Sequence, residues 1–571
     1  MPLYQTLNKH LQTSLLDLQE EGVLPADLTL ENVVLEQPKD VSHGDFATNA
    51  ALVLAKGAGM NPRAIAEALL PKLTAHEAVE AGSIAGPGFI NITLADTALV
   101  AELDVLQAAG YGAIDISGGV KALVEYVSIN PTGPIHVGHG RNAVFGDAIA
   151  RLLEMAGYEV YREYLVNDAG GQIRVLVNSL MVRYRQLFGE DVEVPEGGYP
   201  GEYLVKIAED LKTRDGDKWL AHKQDEDFLL KELRAFAVGA CLDLIKTDLK
   251  VMDIEFDNFF SEFEMHKTDA MAKAIAELRA KGFVFEGILP PPKGKDMADY
   301  EPVELTLFKA TAFGLNEDQP VYKRNGEPTY FGQDIAYHYD KLKRGYEKLV
   351  TVIGADQAGS FKPLGKAIEA LTGRDKLYTP VPYEMVKVLR HGEPVRMSKR
   401  AGNFILLKDV LSEVGNDAFR FSMLLAKPTT IMNFDLSKAI EKSMDNPVFY
   451  VQYAHARLVN VQNQITEQGL ELKDIEPDFS VLVNEQARAL LTKLTLYPLI
   501  IQRAAQSLEP HRLAFYAQEI AGLIHSWYGA EKFVDADNLA ATQARLALVQ
   551  ASAVILQDIL AVCGVSAPER M

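Results

Sequence analysis

Apolar residues recur at helical spacing from the first turn of the chain: Leu3, Leu7, Leu11, Leu15 and Leu18 predict an amphipathic helix. A second helix should open at Asn61-Pro62, with Asn61 as N-cap and Pro62 at the first helical position. Gly86-Pro87-Gly88 is a turn, and Phe89-Ile90-Asn91-Ile92 reads as the strand after it. The segment 110–119 is a glycine-rich linker. From Lys121 the pattern changes. Residues 122–127 form an apolar run broken only by Glu125, as expected of a buried parallel strand. The helix after His136 shows Val144, Ala148 and Leu152 on one face, with Phe145, Ile149 and Leu153 beside it, and Gly157 suits its end. Residues 158–166 return as a strand. This βαβ unit predicts an open parallel sheet whose ligand sits at the carboxyl ends of the strands. Residues about 187–300 are helix-rich and charged and interrupt the sheet, which resumes with the strand 349–353. After Leu436 the sequence is helical to its end.

The fold class is therefore multidomain α/β. A mixed α/β domain spans 1–112. A Rossmann-type open parallel sheet domain spans 120–437, with the insertion at about 187–300. An all-α helical bundle spans 438–571. A chain of 571 residues is too long for one core. No run of about 18 apolar residues stands out as a membrane span, and the N-terminus lacks the basic and apolar regions of a secretory signal. Cys241 and Cys563 are the only cysteines, too few for a disulfide framework or a cysteine-rich zinc site. These features point to the cytoplasm, away from any membrane. A net charge of −21 argues against indiscriminate binding of nucleic acid, DNA included, while leaving room for a specific RNA partner on local patches.

The chemistry concentrates in 125–141. A strand-like run ends in a Pro- and Gly-rich turn, and His136-Val137-Gly138-His139 follows at the head of a helix. Free N–H groups and the positive end of the helix dipole favour an anion there. His136 and His139, three apart, share one helical turn. Gly138 admits a phosphate close to the backbone. As donors to a nucleotide's phosphates, such groups contribute roughly 3 kcal/mol each in the transition state. Without a further ligand in view, no metal is assigned to the two imidazoles. Far away, Arg396-Met397-Ser398-Lys399-Arg400 supplies a cation on a loop of small residues, with Lys399 suited to a leaving pyrophosphate. Together they suggest an enzyme that activates an acid with ATP.

His136-Val137-Gly138-His139 resembles the HIGH motif of class I aminoacyl-tRNA synthetases, and Met397-Ser398-Lys399 resembles the core of their KMSKS motif, with Arg396 and Arg400 as departures. HxGH alone also occurs in small nucleotidyltransferases, but on far shorter chains without the second motif. Further elements resemble the arginyl-tRNA synthetase family across nearly the whole chain, and only 187–300 is patchy. Glu125 and Asn130 lead into HxGH. Tyr330 and Asp334 fit a YxxxD element, and Gln357 ends the strand segment 352–357. Segments 43–49 and 86–91 resemble that family's N-terminal domain, and Tyr453 to Arg457 the opening of its anticodon-binding domain.

The resemblance implies an arginine–tRNA ligase. Its substrates are ATP, with Mg²⁺ on the phosphates, L-arginine and tRNA(Arg), and a monomer is expected. Catalysis falls to His136, His139 and Lys399, with Gly138, Met397 and Ser398 also at ATP. Arginine would meet Glu125, Asn130, Tyr330, Asp334 and Gln357. A planar guanidinium asks for a carboxylate that accepts two parallel bonds, and Asp334 is the candidate, with Glu125 as second acid. Phe89 and Asn91, two apart on one strand, would hold a tRNA base by stacking and amide bonds, and Tyr453 and Arg457 would face the anticodon loop. Trp527 and Tyr528 read as core.

Overall fold

The computed structural model describes residues 2–30, 33–38, 43–108, 110–290, 302–395 and 405–571. The motif residues Arg396, Met397, Ser398, Lys399 and Arg400 lie outside them. The described chain forms two compact units, one made of residues 1–116 with 442–571, the other of 117–441.

In the first unit the helix Leu3–Glu20 buries Leu7, Leu11, Leu15 and Leu18, as its spacing predicts. Asn61 caps the helix Pro62–Thr74, its Oδ1 accepting the Arg63 N–H at 2.9 Å. An antiparallel sheet runs in the order Leu35–Glu36, Phe46–Thr48, Phe89–Leu94, Val79–Ala85. The helices Pro447–Glu467, Glu485–Thr495, Tyr497–Ser507, His511–Ala530 and Leu539–Cys563 form the bundle. The last of these is long and apolar enough, by length and composition, to cross a membrane, although Gln543, Arg545, Gln550 and Asp558 break its apolar run. Its apolar surface is mostly buried, packed on Pro447–Glu467 and His511–Ala530, as in a core helix. Sheet and bundle are joined by Arg488, whose guanidinium donates to both oxygens of Asp45 at 2.9 Å and to Asp96 at 2.8 Å.

The second unit is built on a parallel sheet of strands β1 (Lys121–Glu125), β2 (Glu159–Val166), β3 (Asn258–Ser261), β4 (Lys348–Gly354) and β5 (Tyr378–Tyr383), in the spatial order β5-β4-β1-β2-β3. Helix α1 (Val137–Met155) connects β1 to β2. The strand order reverses between β1 and β4, and a crevice at that point is where open α/β sheets hold ligands. Two boundaries differ from the sequence reading. β1 stops at Glu125 because Val127 and Ser128 turn into the left-handed region, at φ 65° and 40°. β3 comes from inside the predicted insertion; four residues on a sheet edge are too few to show a period. The insertion's helices Tyr203–Asp215 and Glu226–Val251 pack with the preceding helix Gly171–Gln186 around Trp219, Leu233 and Cys241.

Candidate active site

His136 is the extended N-cap of α1, and its ring stacks on that of His139 with centroids 3.4 Å apart and planes 29° from parallel. Gly138 makes this possible: a Cβ there would lie 3.1 Å from His136 Cε1. Gly140 and Gly146 let α1 press against Phe419 and Tyr126, whose ring atoms lie 2.7 Å and 2.1 Å from where their Cβ atoms would be. The His139 Nδ1 is buried without a partner among the described residues. Burial, and then neighbouring His136, push this imidazole down to about 3, so it is neutral at physiological pH. Val137 N–H donates to Ile405 O at 3.1 Å and Leu407 N–H to Ile135 O at 2.9 Å. The chain just after the Lys399 segment is thus tied to the first turn of α1. Met385, 57 % exposed, has its Cε 3.6 Å from the Gly138 Cβ position.

The left-handed exit from β1 is held by Asn142, a residue no sequence motif flagged. Its Oδ1 accepts the Val127 N–H at 2.6 Å, and its Nδ2 donates to Val352 O on β4 at 3.0 Å. One amide therefore spans the two strands that flank the crevice. Asn130 is exposed and donates to Gln172 Oε1 at 2.7 Å. Gln357 is exposed in the turn Ala355–Gln357 after β4. The two amides thus follow the two strands at the reversal point.

The acids meet deeper in. Between β3 and β4 lie the helices α2 (Glu262–His266) and α3 (Tyr330–Lys343). Thr329 caps α3, its Oγ1 accepting the Gly332 N–H at 3.1 Å. Glu125 is buried, and its Oε2 accepts Lys341 Nζ at 2.6 Å and the Thr351 hydroxyl at 3.3 Å. Asp334 is half-buried, and burial, followed by the charges of Glu125 and Glu262, pushes its carboxyl up to about 7. Glu262 is itself raised, by burial first and then by Asp168. Asp168 accepts the Ser261 hydroxyl at 2.7 Å and the Phe263 N–H at 2.8 Å. Glu262, Asp168 and Lys341 were missed by sequence reasoning, and none carries a spacing that could have revealed it. Among the described residues no group of three His, Cys, Asp or Glu is arranged to hold a metal ion.

Tyr330 needs a correction. It begins α3 one turn before Asp334, but its side chain is 85 % exposed, while Phe331 and Gly332 of the same turn pack against Phe308 and Val321. Its hydroxyl is not part of the buried acid cluster.

In the other unit, Phe89 is 39 % exposed at the start of its strand. Asn91 shares that face but is only 8 % exposed, between Ala47 and Ser83 in the sheet, so little of its amide is open to a base. Arg457 lies over the rings of Tyr453 and Tyr528, 4.4 Å and 4.8 Å from their centroids, with Nη1 3.0 Å from His525 Nδ1. All four side chains are half-buried. Trp527 is core, as expected, whereas Tyr528 belongs to this surface cluster.

Stacked imidazoles at a helix start beside the reversal point of a parallel sheet, with a helical bundle elsewhere in the chain, define a class I aminoacyl-tRNA synthetase. Residues 104–462 match the catalytic domain of class I (R) tRNA synthetases, 5–94 the arginyl-tRNA synthetase N-terminal domain, and 451–571 the DALR anticodon-binding domain. An arginine–tRNA ligase of Roseobacter denitrificans is 45 % identical over 96 % of each chain. A solved structure of a putative arginyl-tRNA synthetase from Campylobacter jejuni is 30 % identical, with a TM-score of 0.71, over 83 % of this chain and 99 % of its own. The Thermus thermophilus arginyl-tRNA synthetase shares the fold over the full length of both chains, with a TM-score of 0.77 at 24 % identity. The chain belongs to the arginyl-tRNA synthetase family.

Proposed function

We infer that the crevice between β1 and β4 is the arginine-activating centre of an arginine–tRNA ligase. The activity follows from family membership: arginine and ATP give arginyl-adenylate and pyrophosphate, and the arginyl group passes to the terminal ribose of tRNA(Arg), releasing AMP. The residue roles are our reading. The observation that carries them is a cluster of carboxyl groups, Glu125, Asp334 and Glu262, in which Asp334 is pushed up to about 7 and has no cation of its own among the described residues. A guanidinium, charged at any working pH, supplies that cation and bonds a carboxylate in parallel pairs.

Neutral His139 and its stacked partner His136 donate to the triphosphate as charge grows on the α-phosphorus. Gly138 and Met385 give the nucleotide a close backbone approach and an apolar contact. Lys399, with Met397 and Ser398, meets the departing pyrophosphate, and Mg²⁺ arrives with ATP. Asn130 and Gln357 take the α-amino end of arginine, and exposed Tyr330 lies at the outer end of the α3 face that carries Asp334. Phe89 and the Arg457–Tyr453 cluster, with marginal help from Asn91, contact tRNA. A monomeric enzyme in the cytoplasm completes the reading.

Asp334→Asn tests it. Aminoacylation should show a KM for arginine raised at least a hundredfold and a reduced kcat, while the KM for ATP stays within threefold. Wild-type kinetics for arginine would refute the pocket.

A further inference from the structure

Glu125 and Glu163 are register partners on the parallel strands β1 and β2, and residues of α3 reach both. Each glutamate has its own cation from that one segment. Arg344, at the end of α3, takes Glu163 with two hydrogen bonds of 2.6 Å and 2.9 Å, and Tyr337 and Asn258 add one each at 2.9 Å. Lys341 takes Glu125. Its side chain is wholly buried, and its ammonium also lies 3.9 Å from the centroid of the Tyr337 ring. A lysine that deep has given up its hydration and is retained only with a partner. Asp334, two turns earlier on the same helix, has no such cation among the described residues. The wall thus holds two acids paired with a cation, Glu163 and Glu125, and one, Asp334, that has none of its own among the described residues.

We propose that Lys341 is a positioning residue for arginine recognition: as buried counter-ion of Glu125 it fixes one carboxylate oxygen and leaves the other for an incoming guanidinium. The inference rests on Glu125 and Asp334 being the guanidinium acceptors. Without the ammonium, Glu125, Asp334 and Glu262 repel one another, and a bound proton is the simplest relief. That proton must leave before arginine can bind. The remaining groups that face the pair are Tyr337, His338 and Arg344 from α3, Glu163 from β2, Tyr378 from β5 and Glu262 from α2, and all are kept in the variants below.

The test is the KM for arginine in aminoacylation by the full chain, with ATP and tRNA saturating, from pH 6.5 to 8.5. Lys341→Met should show a KM that falls about tenfold more per pH unit than the wild type, the signature of one extra released proton. Lys341→Gln, which keeps a donor without its charge, should show the same added slope if the methionine variant does not fold. Lys341→Arg should follow the wild type, and Glu125→Gln/Lys341→Met, with no acid left at 125, should lose the added slope. Parallel profiles for Lys341→Met or Lys341→Gln and the wild type overturn the inference. Glu125→Gln alone separates the two readings. If it leaves the KM for arginine unchanged, the pocket itself is misassigned; if it raises the KM while the lysine variants run parallel, only the counter-ion role fails.

Discussion

Arg420 reaches Asp147 in the interior of the sheet unit, and both side chains are out of water. Asp147 lies on α1 and also accepts Arg151 Nε at 2.9 Å, while Arg420 donates to Met252 O at 2.8 Å. Breaking one side of a buried pair leaves a charge without its partner. Arg420→Met should therefore cost about 3 kcal/mol of stability, read as a lower urea midpoint at unchanged slope. Asp147→Leu/Arg420→Met should recover part of that loss, because the buried carboxylate is gone and Arg151, which loses Asp147, keeps Asp253 at 3.3 Å. A single variant as stable as the wild type would contradict this account.

Gly138 separates catalysis from stability. Alanine at a helical position favours the helix by up to ~1 kcal/mol over glycine. Its Cβ would nevertheless sit 3.1 Å from His136 Cε1 and force the stacked rings apart. Gly138→Ala should keep or raise the melting temperature while adenylate formation slows at least tenfold.

His139 should not titrate in the working range. Held down at about 3, it is neutral from pH 5 to 9, so its ring contributes no inflection to the rate of pyrophosphate exchange in that window. His139→Asn should lower kcat by about two orders of magnitude, equivalent to ~3 kcal/mol of transition-state stabilisation.

Asp334 has the opposite behaviour. Its carboxyl is raised from 3.8 to about 7, so between those values the folded protein holds a proton that the unfolded chain releases. Stability is therefore lost as pH rises through that interval. Asp334→Asn should melt above the wild type at pH 8, the gap should shrink toward pH 4, and arginine should narrow it at pH 8 by stabilising only the wild type. In the wild type the KM for arginine should fall as pH rises from 6 to 8, since binding needs the ionised form.

The RNA surface predicts a different kinetic signature. Stacking of a base on an aromatic ring is worth about 1–3 kcal/mol. Phe89→Ala should raise the KM for tRNA roughly tenfold, and Arg457→Met should do the same by loosening Tyr453 and Tyr528. Neither should change the KM for arginine.

Local signals were legible in the sequence. The leucine spacing of the first helix, the Asn61 cap, the β1–α1–β2 unit and the imidazole pair each depend on residues a few positions apart. What was illegible is long-range. Lys341 and Glu125 are 216 residues apart, and nothing near either announces the other. Glu262 and Asp168 belong to the acid cluster only because β3 brings α2 beside it. Val127, a β-branched residue that argues for a longer strand, instead adopts a positive φ under the grip of Asn142. The exposure of Tyr330 and the cover over Asn91 were illegible too, because which side chain of a helical turn is left open, and what covers a strand, is decided by neighbours.

Arg488 makes the two ends of the chain interdependent. The N-terminal segment that carries Asp45 and Asp96 leaves the ribosome long before the bundle that supplies their guanidinium. Until then those two acids repel each other in a half-built body. Completion of synthesis is thereby written into the architecture: a copy that stalls or is clipped ahead of position 488 has no means of closing it.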